Sequence, residues 1–374
     1  MDNKKIKALE KVRAEIEKID KKENNVYFFV LDTKGIASGS LEYIYKLAMI
    51  AKNDGYNVSM LYQIEKGDEF VGVKDWLGEE YANLPHHNVA SDEIEVTPSD
   101  IIFIPEIFAN VMNQTKKLPC KRVAILQNYD YLLEQMPFAA QWGDFGILDC
   151  VCNTEYNSEL IKDIFPYVRT TVVEPYIDKV FGQTIEPKKL IVNIVARDQS
   201  DINRVIKPFY WKYPTFKWVS FRDLRGFSKE GFAKALREAA ITIWVDTDTS
   251  FGYSAIEAMK SGSIVIAKVP EKPLKWMDPD DEQSLSLRNC CIWFDDFNSV
   301  QRQIATVVRS WITDNVPSEV EEEAKKVTDM FSEKKTTDAF NDYLDKIIKT
   351  RRIELEALIS KTEKEENNVS EKED

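Results

Sequence analysis

The segment Asp246-Thr-Asp-Thr-Ser-Phe-Gly-Tyr-Ser-Ala-Ile-Glu-Ala-Met-Lys-Ser-Gly-Ser-Ile-Val-Ile-Ala267 concentrates more chemistry than any other stretch of the chain. A strand ending at Val245 enters a loop of small residues, a helix starts near Tyr253, and a Ser-Gly turn leads to the next strand. Glycine at 252 lets a ligand approach the backbone, and the first N–H groups of a helix have no intrahelical acceptor, so they suit phosphate or sugar oxygens. Glu257, one turn into that helix, offers a carboxylate to sugar or ribose hydroxyls. An ordinary strand–loop–helix with Glu257 in solvent fits the same spacing. Asp246-Thr-Asp248 is formally a D-x-D pair, the simplest metal-site pattern, but it lacks flanking ligands. His86-His87 are the only histidines and read as structural or solvated, in a loop before a strand. Lys116-Lys117 and Lys121-Arg122 flank Pro119-Cys120; a solvated turn explains them better than a patch for an anionic acceptor. In Phe209 to Trp218 aromatics alternate with two lysines, and helix-to-strand packing accounts for them better than base stacking.

The elements that must hold these residues follow an alternating pattern. Short continuous apolar runs at 26–31, 58–62, 101–104, 123–126, 147–152 and 171–173 read as parallel strands buried on both faces. Helical patterns lie between most of them, the first starting beyond Gly35 and Gly39 and ending at Gly55. After the polar link 183–189 the series restarts with strands at 190–196, 218–221, 241–245, 264–267 and 292–294, and helices near 202–212, 229–239 and 253–260. Two such βα series make a two-domain α/β protein, whose default site is the cleft outside the carboxyl ends of the strands. The expected limits are an amphipathic N-terminal helix (1–24), a first domain (25–182), a second domain (183–325), closing helices (326–360) and a disordered charged tail (361–374). The N-terminal stripe Ile6, Leu9, Val12, Ile16 and Ile19 is expected to dock on its own chain, with self-association as the other outcome.

With 374 residues, 44% hydrophobic, the chain is long enough for two cores. Its 63 acidic against 50 basic side chains, a formal charge of −13, argue against non-specific nucleic-acid binding. The five cysteines, at 120, 150, 152, 290 and 291, form no disulfide framework and no C-x-x-C zinc pair, and Cys150 and Cys152 read as buried thiols on a strand. Met1-Asp2-Asn3-Lys4-Lys5 leads into charged residues rather than an apolar leader, and no 18-residue apolar stretch is present. A cytoplasmic protein without a transmembrane segment is expected.

The block from Ser250 to Val265 resembles the donor-site signature of the retaining GT-B glycosyltransferases, the "group 1" transferases that use nucleotide sugars, approximately E-G-F-G-L-x-x-x-E-A-M-A-x-G-x-P-V. Phe251, Gly252, Glu257, Ala258, Met259, Gly262 and Val265 match it. The resemblance implies the GT-B fold, two Rossmann-like domains facing a cleft with a C-terminal helix returning to the first. It implies sugar transfer from a nucleotide diphosphate sugar with retention of anomeric configuration, without metal or other cofactor. By the same resemblance Glu257 holds ribose hydroxyls, and the backbone from Phe251 through Tyr253 to Ser254 contacts the sugar. The family's first Glu falls at Thr249, a departure at the position that contacts the donor sugar. Arg197, ending Val192-Asn-Ile-Val-Ala-Arg197, takes the place of the arginine on the diphosphate. The family's lysine falls near Ser200, so Arg204 or Lys207 must stand in. Gly35 and Gly39 match the glycine-rich loop that faces the donor phosphates. Val173 to Asp178 resembles the interdomain linker, and Phe221 to Phe227 occupies the loop near the nucleobase. Where many members carry a histidine near the acceptor, this chain reads Leu126-Gln-Asn-Tyr-Asp-Tyr131, leaving Gln127, Asn128 or Asp130 to position sugar or acceptor. The acceptor is a glycan, a protein or a modified base. A non-catalytic binding or assembly protein on the same fold is the alternative. A dinucleotide oxidoreductase is disfavoured because the first loop reads Gly35-Ile-Ala-Ser-Gly39 rather than G-x-G-x-x-G.

Overall fold

The computed structural model describes residues 3–65, 67–182, 187–246, 251–270, 274–277, 287–315 and 318–370, with side chains from 9 to 361. The first sheet contains β1 (Asn25–Phe29), β2 (Asn57–Tyr62), β3 (His86–Asn88), β4 (Ile101–Pro105), β5 (Lys121–Leu126), β6 (Asp149–Cys152) and β7 (Arg169–Val172), ordered β3-β2-β1-β4-β5-β6-β7 and parallel throughout. The second contains β8 (Lys189–Val195), β9 (Ser220–Asp223), β10 (Ala239–Trp244), β11 (Ile264–Lys268) and β12 (Ile292–Phe294), ordered β12-β11-β10-β8-β9 and also parallel.

The central strands of each sheet are buried on both faces, which is why they read as unbroken apolar runs. Along β1, Val26 and Phe28 enter one core while Tyr27 and Phe29 enter another. Ile264 and Ile266 of β11 likewise face one layer, and Val265 and Ala267 the opposite one. Phe28 and Phe103 stack at 4.7 Å, and both meet Phe340 of the helix Glu333–Ser370. Burying each such side chain contributes about 1.5–3 kcal/mol, so the last helix of the chain is bound to the first domain. Phe331, just before it, packs edge-on to Phe251 of the second domain at 4.9 Å. The peptide N–H of Ile177 in the linker donates to the Phe331 carbonyl, so both crossings between the domains run side by side.

The closing segment breaks at Phe331-Ser332 into helices Ser318–Met330 and Glu333–Ser370. The second continues through most of the stretch expected to be a disordered tail. Its Glu and Lys residues are good helix formers and extend a helix that packing has already started. The helix Asn3–Asp20 docks in cis: Leu9 and Ile19 are buried, the Ser99 N–H donates to Glu15, and Asp20 pairs with Arg352 at 3.1 Å.

The histidine pair lies on β3 rather than in a loop. His86 Nε2 is 2.7 Å from the Tyr45 hydroxyl and its Nδ1 is 2.6 Å from the Leu84 carbonyl. Burial lowers its pKa, and it serves as packing. The basic residues near Cys120 are structural too: Lys121 pairs with Asp149 and Glu354, and Arg122 donates to the carbonyls of Met112, Phe145 and Gly146. Phe209 and Phe216 join the second domain's core, while Trp211 and Trp218 stay exposed. All five cysteines are buried, and among the described residues no helix is long and apolar enough to cross a membrane.

Candidate functional site

The carboxyl ends of the two sheets face one cleft of about 990 Å³. From the first domain it is lined by the start of the helix Gly39–Asn53, by Glu106 after β4, and by Gln127 and Asn128 after β5. From the second domain come Arg197 after β8, Asp246 after β10, the start of the helix Tyr253–Lys260, Glu257, and Arg225 and Lys229 beyond β9. Two helix N-termini therefore meet across the cleft, and each carries partial positive charge.

Gly252 is the N-cap of the second of these helices at φ 78°, in the left-handed region. A Cβ there would lie 2.9 Å from Trp276 Cζ2, and that ring is held by its Nε1–H donating to the Phe251 carbonyl at 2.8 Å. Both backbone conformation and space thus demand glycine. Gly252→Ala is expected to cost about 1–3 kcal/mol, read as a lower melting temperature; an unchanged melt would refute the geometry. Gly39 is less constrained: a Cβ there would sit 3.1 Å from the Tyr253 ring, which would have to give slightly. Tyr253 bridges the domains, with its hydroxyl buried and unpartnered among the described residues.

Glu257 stands beside a buried ionic quartet. Lys46 pairs with Glu42 at 2.7 Å and Asp178 at 2.9 Å; Lys229 pairs with the same two carboxylates. Glu42 and Lys46 belong to the first domain, Asp178 to the linker and Lys229 to the second domain. Burial would raise the pKa of Asp178, but Lys46 and Lys229 hold it down at about 2. Burial would lower that of Lys229, but Glu42 and Asp178 override this and raise it. Two anions match two cations, so a third carboxyl has no counter-charge left. Burial and then the Glu42 charge push Glu257 up to about 8, against the pull of both lysines. Burial thus favours its protonated form, which can donate as well as accept.

Arg197 lines the cleft with its Nε 2.9 Å from Asp246. Phe251, Gly39, Ser254 and Asn128 line the cleft wall. Thr249 and Asp248 fall outside the described residues. Arg204 and Lys207 do not line the cleft. The helix Gln199–Lys212 starts there but turns these positions away: the Arg204 guanidinium lies 5.4 Å over the Phe297 ring, and Lys207 is exposed. Asp130 is also exposed and outside the cleft, because the Asn128 side chain caps the helix Tyr129–Gln135 and turns Asp130 outward. Besides Arg197, the cations among the described residues that line the cleft are Arg225 and Lys229. Arg225 lies inside the Phe221–Phe227 loop already singled out, and Lys229 opens the helix Lys229–Glu238. Glu106 gave no sequence signal, since it follows an apolar strand as any turn residue does.

No protein-family model matches the chain. A curated relative, an alpha-1,6-glucosyltransferase of Actinobacillus pleuropneumoniae serotype 7 (strain AP76), is 24% identical over 222 residues, covering 57% of this chain and 63% of the relative. The matched part thus spans less than two thirds of that relative's length. Sucrose-phosphate synthase from Thermosynechococcus elongatus superposes with a TM-score of 0.61 at 11% identity, over 87% of this chain and 100% of that one. The pneumococcal O-GlcNAc transferase GtfA, solved with UDP and GlcNAc, gives 0.58 at 8% identity, over 88% and 99%. With two parallel sheets facing one cleft and a last helix returning to the first domain, the chain has the GT-B fold of these glycosyltransferases.

Proposed function

We propose that the chain transfers a sugar from a nucleoside diphosphate sugar to an acceptor hydroxyl, with retention of configuration and without a metal. The observation that supports this is the meeting in one cleft of the Gly252 helix start, Arg197 and Glu257. Arg197 grips the diphosphate, and Arg225, which lines the cleft and is paired with Asp223 at 2.6 Å, takes the part expected of Arg204 or Lys207. Glu257 binds the ribose hydroxyls, and the backbone from Phe251 to Ser254, with Thr249, meets the sugar. Fixed donors aimed at the leaving diphosphate stabilise the charge that develops there. The acceptor oxygen attacks the anomeric carbon on the face the diphosphate leaves, and its proton passes to the departing phosphate oxygen. Asn128 contributes to the opposite wall, and a glycan, a protein or a modified base serves as acceptor. The pneumococcal neighbour was solved with UDP and GlcNAc and the curated relative is a glucosyltransferase, so UDP-linked hexoses are the first donors to try. The five buried thiols fit a reducing compartment, and we place the activity in the cytoplasm.

Thr249, standing where the family carries its first Glu, favours a second reading: a protein that binds nucleotides but turns nothing over. Melting curves with UDP, ADP, GDP and dTDP, with and without Mg²⁺, followed by assay of UDP released from UDP-glucose and UDP-GlcNAc, separate the two. A ligand at a hundred times its Kd adds about 2.7 kcal/mol of stability. We expect a selective shift with one diphosphate, independent of Mg²⁺, and slow release of that diphosphate from its sugar conjugate. A shift without release supports the second reading. No shift with any of the four removes the donor site.

A further inference from the structure

We propose that Glu106, together with Gln127, is the recognition site for the hydroxyls of a neutral sugar or polyol acceptor. The inference rests on the glycosyl-transfer reading and adds a residue to its first-domain wall. Glu106 follows β4, next to β1 and β5, where an open parallel sheet presents its ligands. Its Oε1 accepts the backbone N–H groups of Gln127 at 3.1 Å and Asn128 at 2.8 Å, which locks the carboxyl against the end of β5. Its Oε2 is buried and has no hydrogen-bond partner among the described residues, and the same holds for Gln127 Oε1. The two side chains are 2% and 3% exposed, and both line the cleft.

Buried polar atoms in folded proteins nearly always find partners, so two orphaned oxygens in one wall call for a ligand that brings donors. Both are acceptors, one on a carboxyl, and an anionic group would meet repulsion there. Neutral hydroxyls supply donors without charge, and a sugar presents several on one face. Burial, opposed by the N–H groups of Asn128 and Gln127, pushes Glu106 up to about 7, so near neutrality Oε2 meets a hydroxyl either as acceptor or as donor. The donor half of the cleft lies on the other domain, and a sugar held at Glu106 faces it across the gap.

Saturation-transfer NMR on the full chain, with and without UDP, tests this with methyl α-D-glucopyranoside as a neutral probe. Glu106→Ala and Gln127→Ala are expected to weaken probe binding about tenfold each, while Glu106→Gln, which keeps a polar group in the same shape, loses less. UDP affinity is expected to stay at the wild-type value in all three. Probe binding that is unchanged in both alanine variants, or absent from the wild type at a hundredfold excess, overturns the proposal. A probe that binds through Glu106 while UDP binds nowhere removes the donor reading instead. Should Glu106→Ala fail to fold, Gln127→Ala and Glu106→Gln carry the same comparison.

Discussion

Lys46→Met is expected to destabilise the protein by about 3–5 kcal/mol, the usual cost of removing one partner from a buried ion pair. The lysine is 2% exposed, donates to the Tyr176 carbonyl at 3.0 Å, and lies 4.1 Å from the Tyr176 ring centre. Without it, Glu42 and Asp178 share Lys229 alone, and one buried carboxylate is left without a counter-ion. At roughly 2–4 °C per kcal/mol for domains of 150–250 residues, the melting temperature falls by about 10 °C. The double variant Glu42→Gln/Lys46→Met removes one charge of each sign and is expected to recover part of the loss, because Lys229 and Asp178 remain matched. Lys349→Met, at an exposed position of the last helix, serves as control. If Lys46→Met melts with the control, the quartet does not hold the domains together.

The quartet also shows where reading the sequence stops. Glu42 and Lys46 are four residues apart on an amphipathic helix, a spacing that reads as a surface pair. Only the arrival of the linker and the second domain buries it, and that is tertiary information. By contrast, the strands were legible because burial on both faces writes itself as continuous apolar runs. The helix Tyr253–Lys260 was legible because Gly252 and the Ser261-Gly262 turn punctuate it at both ends. The β3 strand was not, since His86-His87-Asn88 is half-buried and polar. Arg204 and Lys207 stand off the cleft for a rotational reason: spacing from Arg197 counts residues, but only the packed helix shows which side turns to the cleft. Glu106 stayed hidden because its importance lies in an unpaired oxygen, which no spacing encodes.

Arg197→Ala is expected to weaken nucleoside diphosphate binding by about 10–100-fold, the equivalent of losing a charge-assisted contact worth roughly 1.5–3 kcal/mol. Glu257→Ala is expected to cost about tenfold through the ribose, and titration calorimetry with UDP measures both. The fold should tolerate the first change well, since the Arg197 side chain is half exposed. Glu257 brings a second readout. Its folded pKa of about 8 lies above the ordinary carboxyl value of 4.5, so the folded state keeps a proton that the unfolded chain releases. That contribution is fully present below pH 4.5 and is lost as the pH rises through 8. Wild type should therefore melt at progressively lower temperature from pH 6 to 9, whereas Glu257→Gln, which cannot ionise, should show a flatter profile over that range. Because burial favours the protonated form of Glu257, the glutamine variant should also keep more UDP affinity near pH 7 than the alanine variant. Affinities within twofold of wild type for both Arg197→Ala and Glu257→Ala would move the donor away from this end of the cleft, whatever the melting curves show.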